Sequence, residues 1–331
     1  MKGTNLRMPH LLHRLAIALL AAASLIAIPG VAQTYPSKPV RFVVPFVAGG
    51  PTDIQGRMLG EKLSQRLGQQ FIIDNRGGAN GSIGMELTAK APPDGYTIVI
   101  ATVGTWAVNP SLYKLPFDVT KDFAPIIQVS TSPAVLVVHP SVPATSVKEL
   151  IALAKSKPGK LNYGSSGVGG LGHISGALFC LMSGTQMVHV PYKSAAPSLT
   201  DLIAGQIEVL FNNAIATVPH IKSGKARALA VTSIKRMQAL PDLPTIDESG
   251  VKSYDNSSWS AIGTTASTPK AIVTKLNSEL SAILKLPDIQ EKSAAVGADI
   301  IGGTAEQFAA YLKSEIAKFA RVVKEAKITA Q

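Results

Sequence analysis

The chain has 331 residues, a formal charge of +11, 46% hydrophobic residues, 5% aromatic residues and one cysteine. This length exceeds that of a small module and allows two lobes with separate cores. The charge first suggests a nucleic-acid partner, but the basic residues are scattered and few aromatic residues accompany them, which favours small anions. The lone Cys180 excludes an internal disulfide, so we expect packing alone to stabilise the fold.

The N-terminal segment has the three-part layout of a secretory signal peptide. Basic residues between Lys2 and Arg14 precede an apolar run over residues 15–28, and small residues up to Ala32 form a cleavage site. We predict a signal peptide over residues 1–32, cleaved after Ala32, and an exported mature protein. An N-terminal membrane anchor is the alternative.

Predicted strands and helices alternate along most of the mature chain. This order predicts an α/β fold in which mostly parallel sheets are flanked by helices. The predicted strands cover residues 40–47, 71–73, 96–101, 161–165, 187–190, 209–211 and 228–232, and the predicted helices cover 54–67, about 84–91, 147–156, 173–183 and 196–204.

Two apolar passages, residues 123–138 and 257–265, contain no helical pattern and are predicted to cross between two lobes. We expect residues 33–130 and 256–331 to form the first lobe and residues 131–255 to form the second. Two such connections allow the lobes to hinge over a ligand in the cleft between them.

Two helices are predicted to end the chain. Thr268 and Pro269 have the residue types of an N-cap and a first helical position, and Thr304 is the predicted cap of the last helix. In that last helix, Phe308, Leu312 and Phe319 are expected to face the core.

Three glycine-rich turns, residues 48–53, 77–84 and 164–172, each follow a strand and lead into a helix. Such turns lie at the carboxyl ends of strands in a parallel sheet, and they present backbone N–H groups that attract anions. Ordinary turn chemistry explains any one of them. Three on the same side of the sheets favour a binding cleft.

The sequence lacks the usual signatures of catalysis, so we predict no catalytic residues, no metal site and no cofactor. Residues 167–172 match G-x-G-x-x-G, but the next acid is Asp201 and not at the end of the following strand, which argues against a dinucleotide. The serines of the third turn do not form G-x-S-x-G, and the histidines show no metal-binding spacing. His173 and His189 are expected to be structural, although His173 is also a candidate for lining the cleft. For Asp53, a helix cap and a ligand acceptor remain equally open.

Seven segments of the chain carry a resemblance to the tripartite tricarboxylate transporter substrate-binding family, also called the Bug receptors. They are residues 45–53 (PFVAGGPTD), 75–84 (NRGGANGSIG), 93–97 (PDGYT), 163–173 (YGSSGVGGLGH), 189–193 (HVPYK), 221–230 (IKSGKARALA) and 240–245 (LPDLPT).

The resemblance implies a two-lobed periplasmic binding protein fold of type II and a receptor that closes on a small carboxylate. In that family backbone amides, hydroxyls and ordered waters hold the ligand. The resemblance also implies inner-membrane permease subunits as transient partners, and we expect a monomer. The ligand contacts that it implies are Phe46, Gly49, Thr52, Asp53 and Asn80 from the first lobe, with Ser166, Gly169, Lys193 and Ser194 from the second.

The sequence departs from the family pattern at two positions near the expected cleft. Ala177 stands where the family usually has Glu, and Ser194 where it commonly has Gly. Two other functions stay open from the sequence: a receptor that reports to a signalling partner, and an exported hydrolase that uses Asp53 with a serine.

Overall fold

The structure is a computed structural model that describes residues 35–192, 194–237, 240–295 and 297–329. The described residues from Lys38 onwards form one structural unit. The predicted signal peptide and its cleavage point after Ala32 lie outside the described residues. Of the helices in the described part of the chain, none has both the length and the apolar character needed to span a bilayer.

Strands and helices alternate as the sequence predicts. The strands are β1 Val40–Val44, β2 Phe71–Asn75, β3 Thr97–Thr102, β4 Phe123–Val138, β5 Asn162–Ser165, β6 Val188–Pro191, β7 Val209–Asn213, β8 Arg227–Val231, β9 Ser257–Thr265 and β10 Asp299–Gly302. The helices are α1 Pro51–Leu67, α2 Ser82–Ala89, α3 Asn109–Leu112, α4 Val147–Ser156, α5 Leu171–Ser183, α6 Ala195–Ile203, α7 Ala214–Lys222, α8 Lys270–Ile283, α9 Pro287–Ala295 and α10 Ala305–Glu325, with a 3₁₀ turn at Ala79–Gly81 and a π-helical turn at Gly104–Val108.

The strands described form one continuous sheet in the order β2-β1-β3-β9-β4-β7-β5-β6, and β8 and β10 also pair with β4. β1 is parallel to β2 and β3, and β5 is parallel to β6 and β7. We call the part built on β1, β2, β3 and β10 the first lobe, and the part built on β5 to β8 the second lobe. This arrangement confirms the predicted two-lobed α/β fold.

The two passages without helices are the long antiparallel strands β4 and β9. Residues 123–133 of β4 pair with β9 in the first lobe, and residues 134–138 pair with β7 in the second. β4 therefore runs through both lobes. The exact boundaries of the lobes stay a prediction.

The first strand–helix unit shows why glycines recur in this sequence. Pro51 occupies the first turn of α1, and Gly68 ends the helix in the left-handed conformation. Gly56 lies against the sheet, where an added Cβ would come within 3.0 Å of the Val44 side chain. The helix therefore packs closely on β1 and fixes the turn between them.

Helix α10 links the core to the region between the lobes. Trp106 in the π-helical turn makes edge-to-face contacts with Phe123 of β4 and Phe308 of α10. Trp259 of β9 donates to the buried Glu315 of α10 at 2.8 Å. The same helix also packs against α5 of the second lobe.

The helix starts near the C-terminus confirm one prediction and correct another. Thr304 caps α10 with a full capping box, in which its hydroxyl accepts from the Gln307 amide at 3.2 Å. Thr268 is not an N-cap: its hydroxyl donates to the carbonyl of Thr265 at 2.7 Å, and Pro269 takes the capping position before α8. The sequence analysis did not predict α3, α7, α9 or β10.

Candidate functional site

The first glycine-rich turn joins β1 to α1 and is held by Asp53. The carboxylate accepts hydrogen bonds from the Gly49 amide at 2.8 Å, from Arg57 Nε at 2.9 Å and from Asn75 Nδ2 at 2.9 Å. Arg57 also donates to the Asn75 side-chain oxygen at 3.1 Å, which closes a ring of polar contacts. Gly49 has φ = 83°, a conformation that favours glycine.

Asp53 serves the turn that contains it. Its hydrogen bonds to Arg57, Gly49 and Asn75 outweigh the opposing effect of burial and lower its pKa to about 2. With this pKa the carboxylate is ionised near neutral pH, and the residue is enclosed, since it is only 2% exposed. This geometry favours a structural role for Asp53 over direct contact with a ligand, but the role is not that of a helix cap, because the backbone N–H that the carboxylate accepts belongs to Gly49, before α1.

The second glycine-rich turn lies beside the first. Asn80 is exposed, has φ = 52°, donates to the Tyr113 hydroxyl at 2.6 Å and accepts from Asn109 at 2.9 Å. At Gly84 an added Cβ would come within 2.7 Å of Pro45, so glycine is needed where the two turns meet. Phe46, Gly49, Thr52 and Asn80 therefore belong to neighbouring turns of the first lobe.

The third glycine-rich turn joins β5 to α5. The Ser165 hydroxyl donates to the Gly167 carbonyl at 3.0 Å and accepts from the Gly167 amide at 3.1 Å. It also bonds His189 Nε2 at 2.7 Å, and the Gly169 amide donates to His173 Nδ1 at 3.1 Å. Ser166, by contrast, is exposed.

His173 and His189 stack face to face beneath this turn. Their ring centroids are 3.8 Å apart with an angle of 3° between the planes, and Tyr163 lies 5.1 Å from His189. Burial lowers the pKa of both histidines to about 4, and the neighbouring His189 adds to the shift at His173. Both rings are therefore uncharged near neutral pH. The structural role expected for the two histidines is thus visible as direct support of the turn.

The Ser165–His189 pair resembles part of a hydrolytic site, but its surroundings differ. Ser165 is 1% exposed, and its hydroxyl is bonded within the turn. A catalytic serine must be able to reach a substrate carbonyl, which this buried hydroxyl cannot do. In a catalytic triad an acid orients the histidine, whereas here His189 stacks on a second histidine, His173. Within the described residues, no group of three His, Cys, Asp or Glu side chains could hold a metal ion.

Ser194 lies at the start of α6, in the second lobe. It is the N-cap residue, is exposed and makes no side-chain capping hydrogen bond. The amide of Tyr192 donates to the Ser165 carbonyl at 3.0 Å, which ties this segment to the third turn. Lys193, between them, lies outside the described residues.

A cavity of about 180 Å³ lies between the two lobes. Of the predicted contacts, Gly169 lines this cavity. A Cβ added to Gly169 would lie 3.0 Å from the side chain of Leu112 in the first lobe. The other lining residues are Thr102, Val103, Gly104, Val108, Gly170, Leu171, Ile174, Asn256, Ser258 and Phe319.

Sequence reasoning missed the contributions of Gly104, Asn256 and Ser258 to this cavity. Gly104 lies two residues after the end of β3, as the glycines of the recognised turns lie close after their strands, so its position was a usable signal. Asn256 and Ser258 lie at the start of β9, where only the fold brings them to the cleft. A larger groove of about 640 Å³ near Pro140 and Asp242 contains none of the predicted contacts.

Comparison with known proteins identifies the family. The family model of the tripartite tricarboxylate transporter family receptors matches residues 56–328. The chain belongs to this family. The resemblance predicted from seven segments is therefore confirmed.

Three solved structures are similar to this receptor over nearly their whole lengths. R. palustris Rpa4515 with adipate is 40% identical, with a TM-score of 0.72, and the match covers 89% of this chain and 99% of that one. The periplasmic binding protein BugD is 37% identical, with a TM-score of 0.69 and coverage of 90% and 100%. MatC from Rhodopseudomonas palustris with bound malate is 28% identical, with a TM-score of 0.69 and coverage of 87% and 100%.

Proposed function

We propose that this protein is a periplasmic receptor that captures a small organic carboxylate and delivers it to inner-membrane permease subunits of a tripartite tricarboxylate-type transporter. The observation that carries the proposal is that two similar structures hold dicarboxylates, adipate in Rpa4515 and malate in MatC. These acids share two carboxylate groups and a short carbon chain. We therefore assign the same ligand class to this receptor.

The way in which the helices begin supports this assignment. At the N-caps Gly50 of α1, Gly170 of α5 and Ser194 of α6, no side chain accepts a hydrogen bond from the first turn. By contrast, Ser146 caps α4 with its hydroxyl. The helices that follow the first and third glycine-rich turns, together with α6, thus keep backbone donors that a carboxylate can use without an arginine.

We assign the ligand contacts to the turns of both lobes. The first lobe contributes Phe46, Gly49, Thr52 and Asn80, and Asp53 acts by holding Gly49 in place. The contacts of the second lobe are Ser166, Gly169, Lys193 and Ser194.

Calorimetry and thermal unfolding with adipate, malate, citrate, aspartate and benzoate test the proposal. An acid at 100 times its dissociation constant should stabilise the receptor by about 2.7 kcal/mol. We expect the largest effect from a dicarboxylate. If none of these acids stabilises the protein, the proposed ligand class is wrong.

Export and assembly have tests of their own. N-terminal sequencing of protein recovered from the periplasm should begin at Gln33, because cleavage is expected after Ala32. Sedimentation of the mature protein should give the mass of a monomer.

A further inference from the structure

We propose that His173 and His189 are positioning residues for the ligand, because their hydrogen bonds to Ser165 and Gly169 hold the third glycine-rich turn in its binding shape. The inference rests on the proposed function, since Ser166 and Gly169 of this turn are assigned ligand contacts. It adds two residues that act through the turn and not by touching the acid.

The two histidines anchor opposite ends of the turn. His189 Nε2 bonds the Ser165 hydroxyl at 2.7 Å, and His173 Nδ1 accepts from the Gly169 amide at 3.1 Å. The rings stack at 3.8 Å, so each anchor supports the other. Moving either ring would therefore shift a residue of the turn.

A turn so rich in glycine needs such anchors. Gly167 has φ = 122° and Gly169 has φ = 76°, and glycine loses more backbone freedom on ordering than any other residue. The Gly169–His173 bond holds the Gly169 amide at the start of α5. An ordered turn binds an acid more tightly because less ordering remains to be done on binding.

The two anchors differ in their dependence on the charge of the ring. Gly169 offers a backbone N–H, so His173 Nδ1 must be unprotonated to accept it. His189 donates to Ser165 from Nε2, because the single proton of the Ser165 hydroxyl goes to the Gly167 carbonyl; it keeps this bond when charged, but a charged His189 would face His173 at 3.8 Å. Protonation thus breaks the anchor at Gly169 first.

Among the residues that the structure describes, the titratable groups around the pair supply no compensating charge. Tyr163 of β5 lies against the stack, Cys180 of α5 interacts electrostatically with Tyr163, and the Tyr254 hydroxyl donates to the Ser175 carbonyl of α5 at 2.9 Å. Burial raises the pKa of all three groups, so all are neutral near pH 7. The stack therefore loses its neutral form near pH 4, the value to which burial lowers the pKa of both histidines.

Side-chain amides separate the role of each ring nitrogen from the packing of the ring. Asn places its oxygen close to the position of Nδ1, and Gln places its amide close to that of Nε2. His173→Asn and His189→Gln should therefore keep the anchors, whereas His173→Ala, His173→Gln and His189→Ala should lose them.

Affinity for adipate and malate, measured by calorimetry on the mature protein at pH 7.5, gives the first readout. We expect the anchor-losing variants to bind about 3- to 10-fold more weakly, the effect of one hydrogen bond, and His173→Asn and His189→Gln to stay close to wild type. Equal losses for His173→Asn and His173→Ala would overturn the proposal, because packing alone would then explain both.

Hydrogen exchange of the backbone over residues 165–172, measured without ligand, gives a second readout that does not depend on the proposed function. His173→Ala should speed exchange at the Gly169 amide, and His173→Asn should not. If no acid binds the wild type, the proposed function fails, while this measurement still decides whether the histidines hold the turn.

The pH profile gives a third readout. Wild-type affinity should fall more steeply than that of His173→Asn as the pH approaches about 4. Because the acid itself titrates, both proteins are compared with the same acid in the same buffers. Parallel profiles would contradict the proposed dependence on charge.

Discussion

The first and third glycine-rich turns have the same position in their strand–helix units but are held by opposite electrostatic means. The first is held by an ionised carboxylate, Asp53, bonded to Arg57, Asn75 and the Gly49 amide. The third is held by two uncharged imidazoles and a hydroxyl. Each solution orders glycine backbone at a helix start.

The difference determines where an anionic ligand should be attracted most. The carboxylate of Asp53 lies in the first turn of α1 and offsets the positive end of that helix. The first turn of α5 contains no acid, and its histidines are neutral, so its positive end is not offset. We therefore expect the third turn to supply more of the electrostatic attraction and the first to supply shape and hydroxyl contacts.

The largest effect is expected from Asp53→Ala, which removes the charged anchor. The Gly49 amide and Asn75 would lose a buried acceptor, whereas Arg57 is half exposed and can be hydrated. We expect the free energy of unfolding to fall by about 3 kcal/mol in urea titrations at pH 7 without ligand. Asp53→Asn keeps the shape and one oxygen and should lose less. A loss below about 1 kcal/mol for Asp53→Ala would show that the turn does not depend on this anchor.

The stabilisation that Asp53 gives the first turn and that the histidine pair gives the third turn should also be lost at different pH values. The pKa of His173 and His189 is lowered from 6.5 to about 4, so the unfolded chain takes up protons first. Their contribution to stability therefore declines as the pH falls from about 6.5 to 4. The pKa of Asp53 is lowered from 3.8 to about 2, so its contribution is complete above 3.8 and declines towards 2.

Differences between variants isolate these contributions from all other titrating groups. The free energy of unfolding of wild type minus that of the double variant His173→Asn, His189→Gln should change between pH 6.5 and 4. The corresponding difference for Asp53→Asn should change only below about pH 4. If the difference in free energy of unfolding between wild type and the double histidine variant stays constant between pH 6.5 and 4, the two turns do not differ in the pH dependence of their stabilisation.

Placing an acid in the third turn tests its electrostatic role directly. Ser166 is exposed, and its hydroxyl lies 3.2 Å from the position of an added Cβ at Gly170, the N-cap of α5. Ser166→Asp should leave the free protein as stable as wild type, or more stable by about 0.5 kcal/mol, because it complements the helix end. Its affinity for adipate should drop about tenfold, since the ligand meets a like charge.

Ser166→Asn is the neutral control for this substitution. It should keep most of the affinity, so that the difference between the two variants reports charge. Salt should narrow that difference because exposed charges are screened. Equal affinities would place the ligand away from the third turn.

Gly169→Ala tests the approach of the two lobes. Its φ of 76° makes alanine unfavourable by about 1 kcal/mol, and its Cβ would lie 3.0 Å from Leu112. Gly184→Ala is a matched control, because Gly184 has φ = 63° and open space around it. We expect similar stability losses but weaker adipate binding only for Gly169→Ala. Adding Leu112→Ala should restore part of the binding if the contact between lobes is the cause.

The fold was largely predictable because each strand–helix unit carries local signals. The strands are short apolar runs, and capping residues such as Thr304 begin helices. The errors have local causes as well. A proline can serve as the N-cap or as the first helical residue, so Pro269 fixed the start of α8 only to within one position. The strand β10 has four residues and depends on pairing with β4, which no local pattern shows.

The candidate site was less predictable because its contacts join distant segments. The glycine turns were visible, but Asp53 meets Asn75 from the next strand and Ser165 meets His189 from a neighbouring strand. Neither pair has a characteristic spacing. Burial also decides the charge of His173, and sequence does not show burial at a single histidine.

A small effect on stability is expected from Ser194→Ala, at the start of α6 in the second lobe. Ser194 is the N-cap of α6, yet its hydroxyl makes no capping bond, so its loss should change the free energy of unfolding by less than about 0.5 kcal/mol. Ser146→Ala is the opposite case, since its hydroxyl accepts from the Glu149 amide at 3.2 Å and its loss should cost about 1 kcal/mol. For adipate affinity the order should reverse, with about a threefold loss for Ser194→Ala and none for Ser146→Ala. If both variants keep full affinity, the Ser194 hydroxyl has no role in binding, and the contacts proposed for the second lobe reduce to the third turn and Lys193.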